Sequence, residues 1–248
     1  LKLSTGSHSF TDDTKLVSIE TLTLSSSGST VVFTGQTEAL TLTGGAAVDN
    51  ITGGNAADII SGAADNDILV GGAGDDVISG GDGTDAITGG ANNDTLTGGL
   101  GNDTFNIDAG TDSITDLTTG DIIKITSGAT LNVTGIAGFT ATSASTNANS
   151  SATSANLTAA SGAVTIDMSA STGKYNIVGG AGDNSLKAGK QDSIVKGEDG
   201  DDIIIGDAGA DILTGGVGSD TFTGNAGNDT FNVDSGTDII TDLGGSSG

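Results

Sequence analysis

Aspartate recurs at every ninth residue along one stretch of this chain: positions 49, 58, 67, 76, 85, 94, 103 and 112 are all Asp, set among glycines. Neither regular element accounts for that spacing. A helix buries side chains at a 3.6-residue period and a strand at a 2.0-residue period, so a nine-residue acidic period needs a structural unit that itself recurs every nine residues. In register, residues 44–106 read GGAAVDNIT, GGNAADIIS, GAADNDILV, GGAGDDVIS, GGDGTDAIT, GGANNDTLT and GGLGNDTFN, followed by a worn copy, IDAGTDSIT. The pattern is Gly-Gly-x-Gly-x-Asp-x-U-x, with U a large apolar residue. Ile51, Ile60, Leu69, Ile78, Ile87, Leu96, Phe105 and Ile114 fill the eighth position, so each copy offers one side chain for burial. A second array spans 179–241 as GGAGDNSLK, AGKQDSIVK, GEDGDDIII, GDAGADILT, GGVGSDTFT, GNAGNDTFN and a worn VDSGTDIIT.

Charge points the same way. The chain has 32 acidic residues against 7 basic ones, a net charge of -25 over 248 residues. Such a chain repels nucleic acid and anionic membrane surfaces and attracts cations. Plentiful Ile, Leu, Val and Ala make it too apolar for plain disorder, and 3 % aromatic residues are too few for an ordinary large core. The absence of cysteine fits either a secreted protein held together by metal or a cytosolic one without thiols, and we favour the first. No run of 18 apolar residues marks a transmembrane segment, and no basic-plus-apolar start marks a signal peptide. A first residue of Leu1 and an end at Gly248 in mid-motif read as a piece of a longer polypeptide.

The repeats resemble the RTX, or haemolysin-type, calcium-binding nonapeptide, over both arrays and a little over half of the chain. The resemblance implies an all-β fold: a right-handed parallel β-roll or β-solenoid with calcium ions in its turns, built here as two tandem arrays. Two nonapeptides make one coil, each giving a six-residue turn and a three-residue strand. The residue types agree. Glycine at positions one, two and four permits the left-handed backbone of a tight turn and frees carbonyls to face a cation. Position eight faces inward, seven and nine face out, and coils stack at roughly 4.8 Å. At 18 residues per coil, Asp49, Asp67, Asp85 and Asp103 fall in one column and Asp58, Asp76, Asp94 and Asp112 in the opposite one.

Magnitude then favours a metal. Two carboxylates about 5 Å apart repel by roughly 1 kcal/mol in water and about 3 kcal/mol at an effective dielectric near 20. Stacked pairs of that kind threaten a fold built on small aliphatic side chains unless a divalent cation sits between them. Calcium suits flexible, oxygen-only sites, whereas magnesium demands octahedral geometry and dehydrates reluctantly. Solvated turn-forming is the competing reading of the aspartates, but turns do not require acid at one fixed position every time.

In the resembling family, a site takes the carbonyls of positions two and four with the Asp of one turn, and those of positions one and three with the Asp one coil on. Carried onto this chain, one site is Gly72, Gly74 and Asp76 with Gly89, Ala91 and Asp94. The same offset brings in Gly81, Gly83, Asp85, Gly99, Gly101 and Asp103, and Asp49, Asp58, Asp67 and Asp112 complete the first array. In the second, Gly200 joins Asp202, Gly209 joins Asp211, Gly216 and Gly218 join Asp220, and Gly227 joins Asp229, closing on Asp238. Roughly nine to eleven calcium ions result, enough to offset most of the negative charge. Ala47, Ala56 and Asp65 replace the fourth-position glycine in the first three copies, and Asn92 is a milder change because Asn tolerates positive φ. Asn184 and Ser193 take the acidic position early in the second array, with Asp183 and Asp192 one residue away, so weak sites are expected there.

A larger repeat contains both arrays. Residues 103–117 (DTFNIDAGTDSITDL) and 229–243 (DTFNVDSGTDIITDL) agree at twelve of fifteen positions at an offset of 126, which is seven coils of 18. The second copy lacks a counterpart of Asp121-Ile-Ile-Lys-Ile125. We read residues 1–43 as N-terminal solenoid or capping strands and 44–117 as the first roll. Residues 118–178 form a connector with strands and an Ala/Ser/Thr-rich segment, and 179–248 the second roll. Strands are expected at 15–24, 30–33, 39–43, 130–134, 163–167 and 175–178, with 139–162 either a packed loop or small-residue coils.

No catalytic constellation emerges. His8 is the sole imidazole, expected in a polar loop, which leaves no zinc motif and no Ser-His-Asp triad. The carboxylates are expected on open turns, with no cleft to raise a pKa for acid work. No Lys-Ser/Thr follows the Gly-rich runs, so they are not phosphate loops. Ile59, Ile68, Val77, Ile203, Ile205 and Ile212 sit at outward positions where later coils carry Thr or Ser, which reads either as a packed surface or as scattered apolar residues.

The resulting expectation is a secreted, non-enzymatic structural protein of the bacterial cell surface, exported by type I secretion and folding outside on calcium. It would self-associate, or meet neighbouring surface molecules, as a surface layer or related sheet or filament. The alternative is the calcium-binding region of a large adhesin, or of a secreted enzyme or toxin whose catalytic domain lies elsewhere. An ice-binding solenoid needs a flat outward ladder of Thr, and Thr95 and Thr104 interleaved with Ile and Ala do not form one.

Overall fold

The computed structural model describes residues 6–9, 21–149 and 155–243. Part of the strand expected at 15–24, and part of the small-residue stretch, lie outside the described residues. Among the described residues there are strands and no helix, hence none long and apolar enough to cross a membrane. The chain divides into two compact units, residues 1–116 with 128–130, and residues 117–127 with 131–248.

Unit 1 holds β1 (Gly6–Ser9), β2 (Thr21–Thr23), β3 (Ser29–Val32), β4 (Thr41–Thr43), β5 (Asn50–Thr52), β6 (Ile59–Ala64), β7 (Ile68–Ala73), β8 (Val77–Asp82), β9 (Ala86–Ala91), β10 (Thr95–Leu100), β11 (Thr104–Ile107) and β12 (Thr111–Ile114). Odd strands form one parallel sheet in the order β1-β3-β5-β7-β9-β11, and even strands form another, β2-β4-β6-β8-β10-β12. Successive strands alternate between sheets, so two nonapeptides complete one coil. Register states the period directly: Ile60 pairs with Ile78 and Ile78 with Leu96, while Ile51 pairs with Leu69 and Leu69 with Ile87. This is a parallel β-roll with 18 residues per coil. Before the repeats begin the coils are longer, with Thr21 on Thr41 and Thr30 on Asn50. His8 is not in a loop but in β1, paired with Val31. An edge strand is held by its backbone ladder, which polar side chains do not prevent.

Unit 2 holds β13 (Ile122–Ile125), β14 (Thr130–Ile136), β15 (Phe139–Thr140), β16 (Thr146–Asn147), β17 (Ala155–Ala159), β18 (Thr165–Asp167), β19 (Asn176–Ala181), β20 (Ser185–Lys187), β21 (Ile194–Asp199), β22 (Ile203–Ile205), β23 (Ile212–Val217), β24 (Thr221–Thr223), β25 (Thr230–Asn232) and β26 (Ile239–Asp242). Its two long parallel sheets run β14-β17-β19-β21-β23-β25 and β15-β18-β20-β22-β24-β26, and β13 pairs with β16. Where it is described, the Ala/Ser/Thr-rich stretch forms the short strands β15, β16 and β17 joined by turns. Ala141, Ser145, Asn147, Ala155 and Ala159 are buried there, small side chains filling a narrow interior. Asn156 donates to the side-chain oxygen of Asn132 at 2.7 Å and accepts from Asn176 at 2.9 Å, an amide ladder that joins these coils without charge.

Every eighth-position side chain of the first array is buried, and so are Leu186, Val195, Ile204, Leu213 and Phe222 of the second. Their neighbours at position seven face out. Ile59, Ile68, Val77, Ile203 and Ile212 are exposed, whereas Ile205 is half-buried at position nine, a departure from the expected outward side chain. In excess calcium, Ile87→Ala at a fully buried position is expected to cost about 2–5 kcal/mol, while Ile59→Thr stays within about 0.5 kcal/mol. Urea unfolding of the two variants checks this contrast, and equal costs would contradict the inward-outward assignment.

Candidate calcium ladder

Each repeat turn places its aspartate by two backbone devices. Positive φ at positions two and four curls the turn, as at Gly72 and Gly74, Gly81 and Gly83, and Gly99 and Gly101. Non-glycine residues take the same conformation in several copies: Ala63 and Asp65, Asn92, Glu198 and Asn225. The first-position glycine serves otherwise. Gly71, Gly80 and Gly89 do not have positive φ, which corrects the expectation that this glycine relieves a left-handed backbone. A Cβ on Gly80 would lie 2.2 Å from Asp85 Oδ2 and 2.6 Å from the Gly98 carbonyl oxygen of the next coil. At these turns a side chain on the first residue would collide with the carboxylate that folds back over it.

That fold-back buries the acid. Asp49, Asp58, Asp67, Asp76, Asp85, Asp94, Asp103 and Asp112, with Asp202, Asp211 and Asp220, are each at most 2 % exposed, so the expected open turns are corrected to buried ones. Asp229 and Asp238, in the last described coils, are half-buried. One oxygen of each carboxylate is accounted for. Asp67 Oδ1 accepts the Asp49 amide, Asp85 Oδ1 accepts from Asp67, and Asp103 Oδ1 accepts from Asp85, at 2.7–2.8 Å. The opposite column runs Asp58, Asp76, Asp94, Asp112 in the same way. In unit 2, Asn184, Asp202, Asp220 and Asp238 form one column, and Ser193, Asp211 and Asp229 the other.

The other oxygen is where the ladder is incomplete. Oδ2 of Asp67, Asp76, Asp85, Asp94, Asp112, Asp202, Asp220 and Asp229 is buried without a hydrogen-bond partner. A bare anion in that position carries a large desolvation cost. Burial accordingly pushes the Asp76 and Asp112 carboxyls up to about 7, and Asp67, Asp94, Asp202 and Asp211 up to about 6. The backbone amides oppose that shift, and neighbouring carboxylates such as Asp58 and Asp94 around Asp76 add to it. An oxygen-only site with a buried, unsatisfied anionic donor fits a hard divalent cation.

Where aspartate is missing, the amide acceptor persists without charge. Asn184 Oδ1 accepts from Val164 at 3.0 Å, and Ser193 Oγ accepts from Tyr175 at 3.2 Å, while the Tyr175 hydroxyl bonds Ser171 Oγ. Lys174 pairs with Asp192 at 2.8 Å and Lys187 with Asp167 at 3.2 Å beside these coils. The copies starting at Gly44, Gly53 and Ala188 have positive φ at neither position two nor four, so their turns differ from the rest. Of the copies with altered fourth positions, the one carrying Asp65 keeps the repeat turn and those carrying Ala47 and Ala56 do not.

A second ladder, not anticipated from the repeat pattern, runs along position five. Asn66, Asp75 and Asn93 accept the amides of Thr84, Asn93 and Thr111, and Asp183, Asp192 and Asp201 accept those of Asp201, Ala210 and Ser219. It reaches one coil forward where position six reaches one coil back. Frequent Asp and Asn at position five is its signal in the sequence. Asp116 adds an end cap, accepting the amides of Gly98 and Gly99 at 2.9 and 2.8 Å.

The profile of the RTX calcium-binding nonapeptide repeat matches residues 43–78, 79–114, 178–213 and 205–240, more than half of the chain. The chain belongs to the RTX calcium-binding repeat family. Its β-roll is a structural calcium-binding fold. Comparison with curated proteins and with solved structures gives no match.

Two outcomes follow from the buried carboxyls. Their folded-state values lie above the ordinary 3.8, so in chelator they favour the folded chain fully below about pH 4 and lose that contribution as pH rises through 6 to 7. Circular dichroism in chelator should therefore show more structure at pH 5 than at pH 8, and the reverse order would contradict the burial. Gly80→Ala should displace the Asp85 carboxylate and cost about 1–3 kcal/mol in calcium-saturated protein, read by urea unfolding.

Proposed function

We propose that this chain is a secreted calcium-dependent structural protein of the bacterial cell surface, exported by type I secretion and assembling as a surface layer or a related sheet or filament. The observation that carries the calcium dependence is the file of buried aspartate oxygens without hydrogen-bond donors. Each site takes Asp and the second- and fourth-position carbonyls of one turn, then Asp and the first- and third-position carbonyls one coil on. Gly72, Gly74, Asp76, Gly89, Ala91 and Asp94 form the type site.

Calcium, when bound, supplies two positive charges between successive carboxylates and so replaces their mutual repulsion by attraction. The chain's own part is to hold one carboxylate oxygen by a backbone amide and present the other inward. Without the ion, ionised columns oppose folding, which keeps the chain export-competent where calcium is scarce; with it, binding free energy becomes folding free energy. The turns at Ala47 and Ala56, and those at Asn184 and Ser193, support no strong site, so the number of ions is at the lower end of roughly nine to eleven.

Self-assembly rests on the outer faces. Ile59 and Val77 are paired neighbours in one sheet and both are about half exposed, at 54 % and 48 %. An exposed aliphatic pair flanked in its sheet by Thr41 and Thr95 favours association. Electron microscopy with and without calcium tests the reading, the expected result being sheets or filaments only in calcium and their loss in Ile59→Thr/Val77→Thr. Monomers persisting in calcium would instead support the calcium-folded region of a larger adhesin, enzyme or toxin. Far-UV circular dichroism indifferent to chelator would count against calcium-driven folding itself.

A further inference from the structure

The worn copies that close the two arrays depart from the repeat at position two, where Asp108 and Asp234 stand in place of glycine, 126 residues apart. Neither side chain is loosely placed. Asp108 Oδ1 accepts the Gly90 amide at 3.1 Å, and Asp234 Oδ1 accepts the Gly216 amide at 2.8 Å, each reaching back one coil. In unit 2 this brings a third carboxylate to a pair already stacked by the ladder. Carboxylate oxygens of Asp220, Asp234 and Asp238 lie within 4.8 Å of one another. Asp220 is fully buried, and its Oδ2 has no hydrogen-bond partner. In unit 1 the corresponding Asp94 and Asp112 are buried, Oδ2 of each lacks a partner, and Asp108 interacts electrostatically with both.

We propose that each array ends in a three-carboxylate divalent-cation site, Asp94–Asp108–Asp112 in unit 1 and Asp220–Asp234–Asp238 in unit 2, which holds calcium more tightly than the two-carboxylate sites between inner coils. The proposal rests on the reading of the aspartate columns as calcium ligands and adds Asp108 and Asp234 to it. Ligand charge is one of the variables that spread calcium affinities over several decades. A third anion around one ion raises attraction for calcium, and raises equally the repulsion that the ion-free cluster has to bear. Inner copies of the first array have no such group, their position two being mostly Gly with positive φ, as at Gly72, Gly81, Gly90 and Gly99. In the second array Glu198 and Asp207 carry acid at position two, but the position-six residues one coil before them are Asn184 and Ser193, so no third carboxylate joins a pair there. The terminal sites are therefore the last to empty as calcium is withdrawn.

Asparagine separates charge from geometry, since its side-chain oxygen still accepts the Gly90 or Gly216 amide. Calorimetric calcium titration of the 248-residue chain is compared with Asp108→Asn, Asp234→Asn, the double variant and an exposed-charge control outside the arrays, Glu38→Gln. The wild type should resolve a tightest class of two ions, one per array. Each single variant should move one of them at least ~10-fold weaker, the double variant both, and Glu38→Gln neither. A tightest class that survives the double variant, or weakens equally in Glu38→Gln, overturns the three-carboxylate sites while leaving the columns as calcium ligands. No calcium uptake by the wild type overturns the underlying reading as well. Far-UV circular dichroism in calcium checks folding; if Asp108→Asn fails that check, Asp234→Asn in the last described coil decides alone.

Discussion

A carboxylate buried with one oxygen bound to an amide and the other bound to nothing is stable only if it is protonated or faces a cation. Asp67, Asp76, Asp85, Asp94 and Asp112 are all held this way in one unit, and Asp202, Asp220 and Asp229 in the other. Most of the chain's unusual features follow from that interaction. The excess of acid over base, the glycine packed under most of these carboxylates and the left-handed turns at positions two and four of the regular copies all serve to bring stacked carboxylates inward. The apolar interior, one aliphatic or aromatic side chain per nonapeptide, is too thin to bear many uncompensated charges.

The chain also shows how a coil is made without that demand. Asn184 and Ser193 accept the same backbone amide that Asp accepts elsewhere, and carry no charge that needs a partner. The Asn132, Asn156 and Asn176 ladder and the Lys174–Asp192 pair join coils by neutral or mutually compensated groups. Charge-neutral coils precede the aspartate-rich ones in unit 2, and the position-six column passes from one kind to the other without a break in its hydrogen bonds. Metal dependence is thus a property of particular coils, set by one residue in nine.

Much of this architecture is legible in the amino-acid sequence. A nine-residue period with one apolar residue per copy admits few folds, and Leu69 to Leu213 are buried as that pattern requires. The two columns follow from the 18-residue coil. Other features are not legible. Burial of the aspartates is hidden because a period fixes which residues stack but not which way a short side chain turns. The role of the position-one glycine is hidden too, since a sequence does not distinguish a glycine needed for φ from one needed for closeness. The position-five ladder is obscured because Asn, Asp and Thr share it unevenly, and the strand at His8 because edge pairing is a backbone property.

The sequence alone determined the repeat, its register, the residues that face inward and the sign of the ligand it must attract, because all of these are periodic and periodicity survives without coordinates. Tertiary structure decided which aspartates are buried, which oxygen of each is left for a cation, which degenerate turns keep the repeat conformation, and that Asp108 and Asp234 reach back to amides one coil before. Those properties depend on contacts between residues 14 to 18 positions apart, as between Asp234 and Asp220 or Gly216. Only stacking one coil on the next creates such contacts.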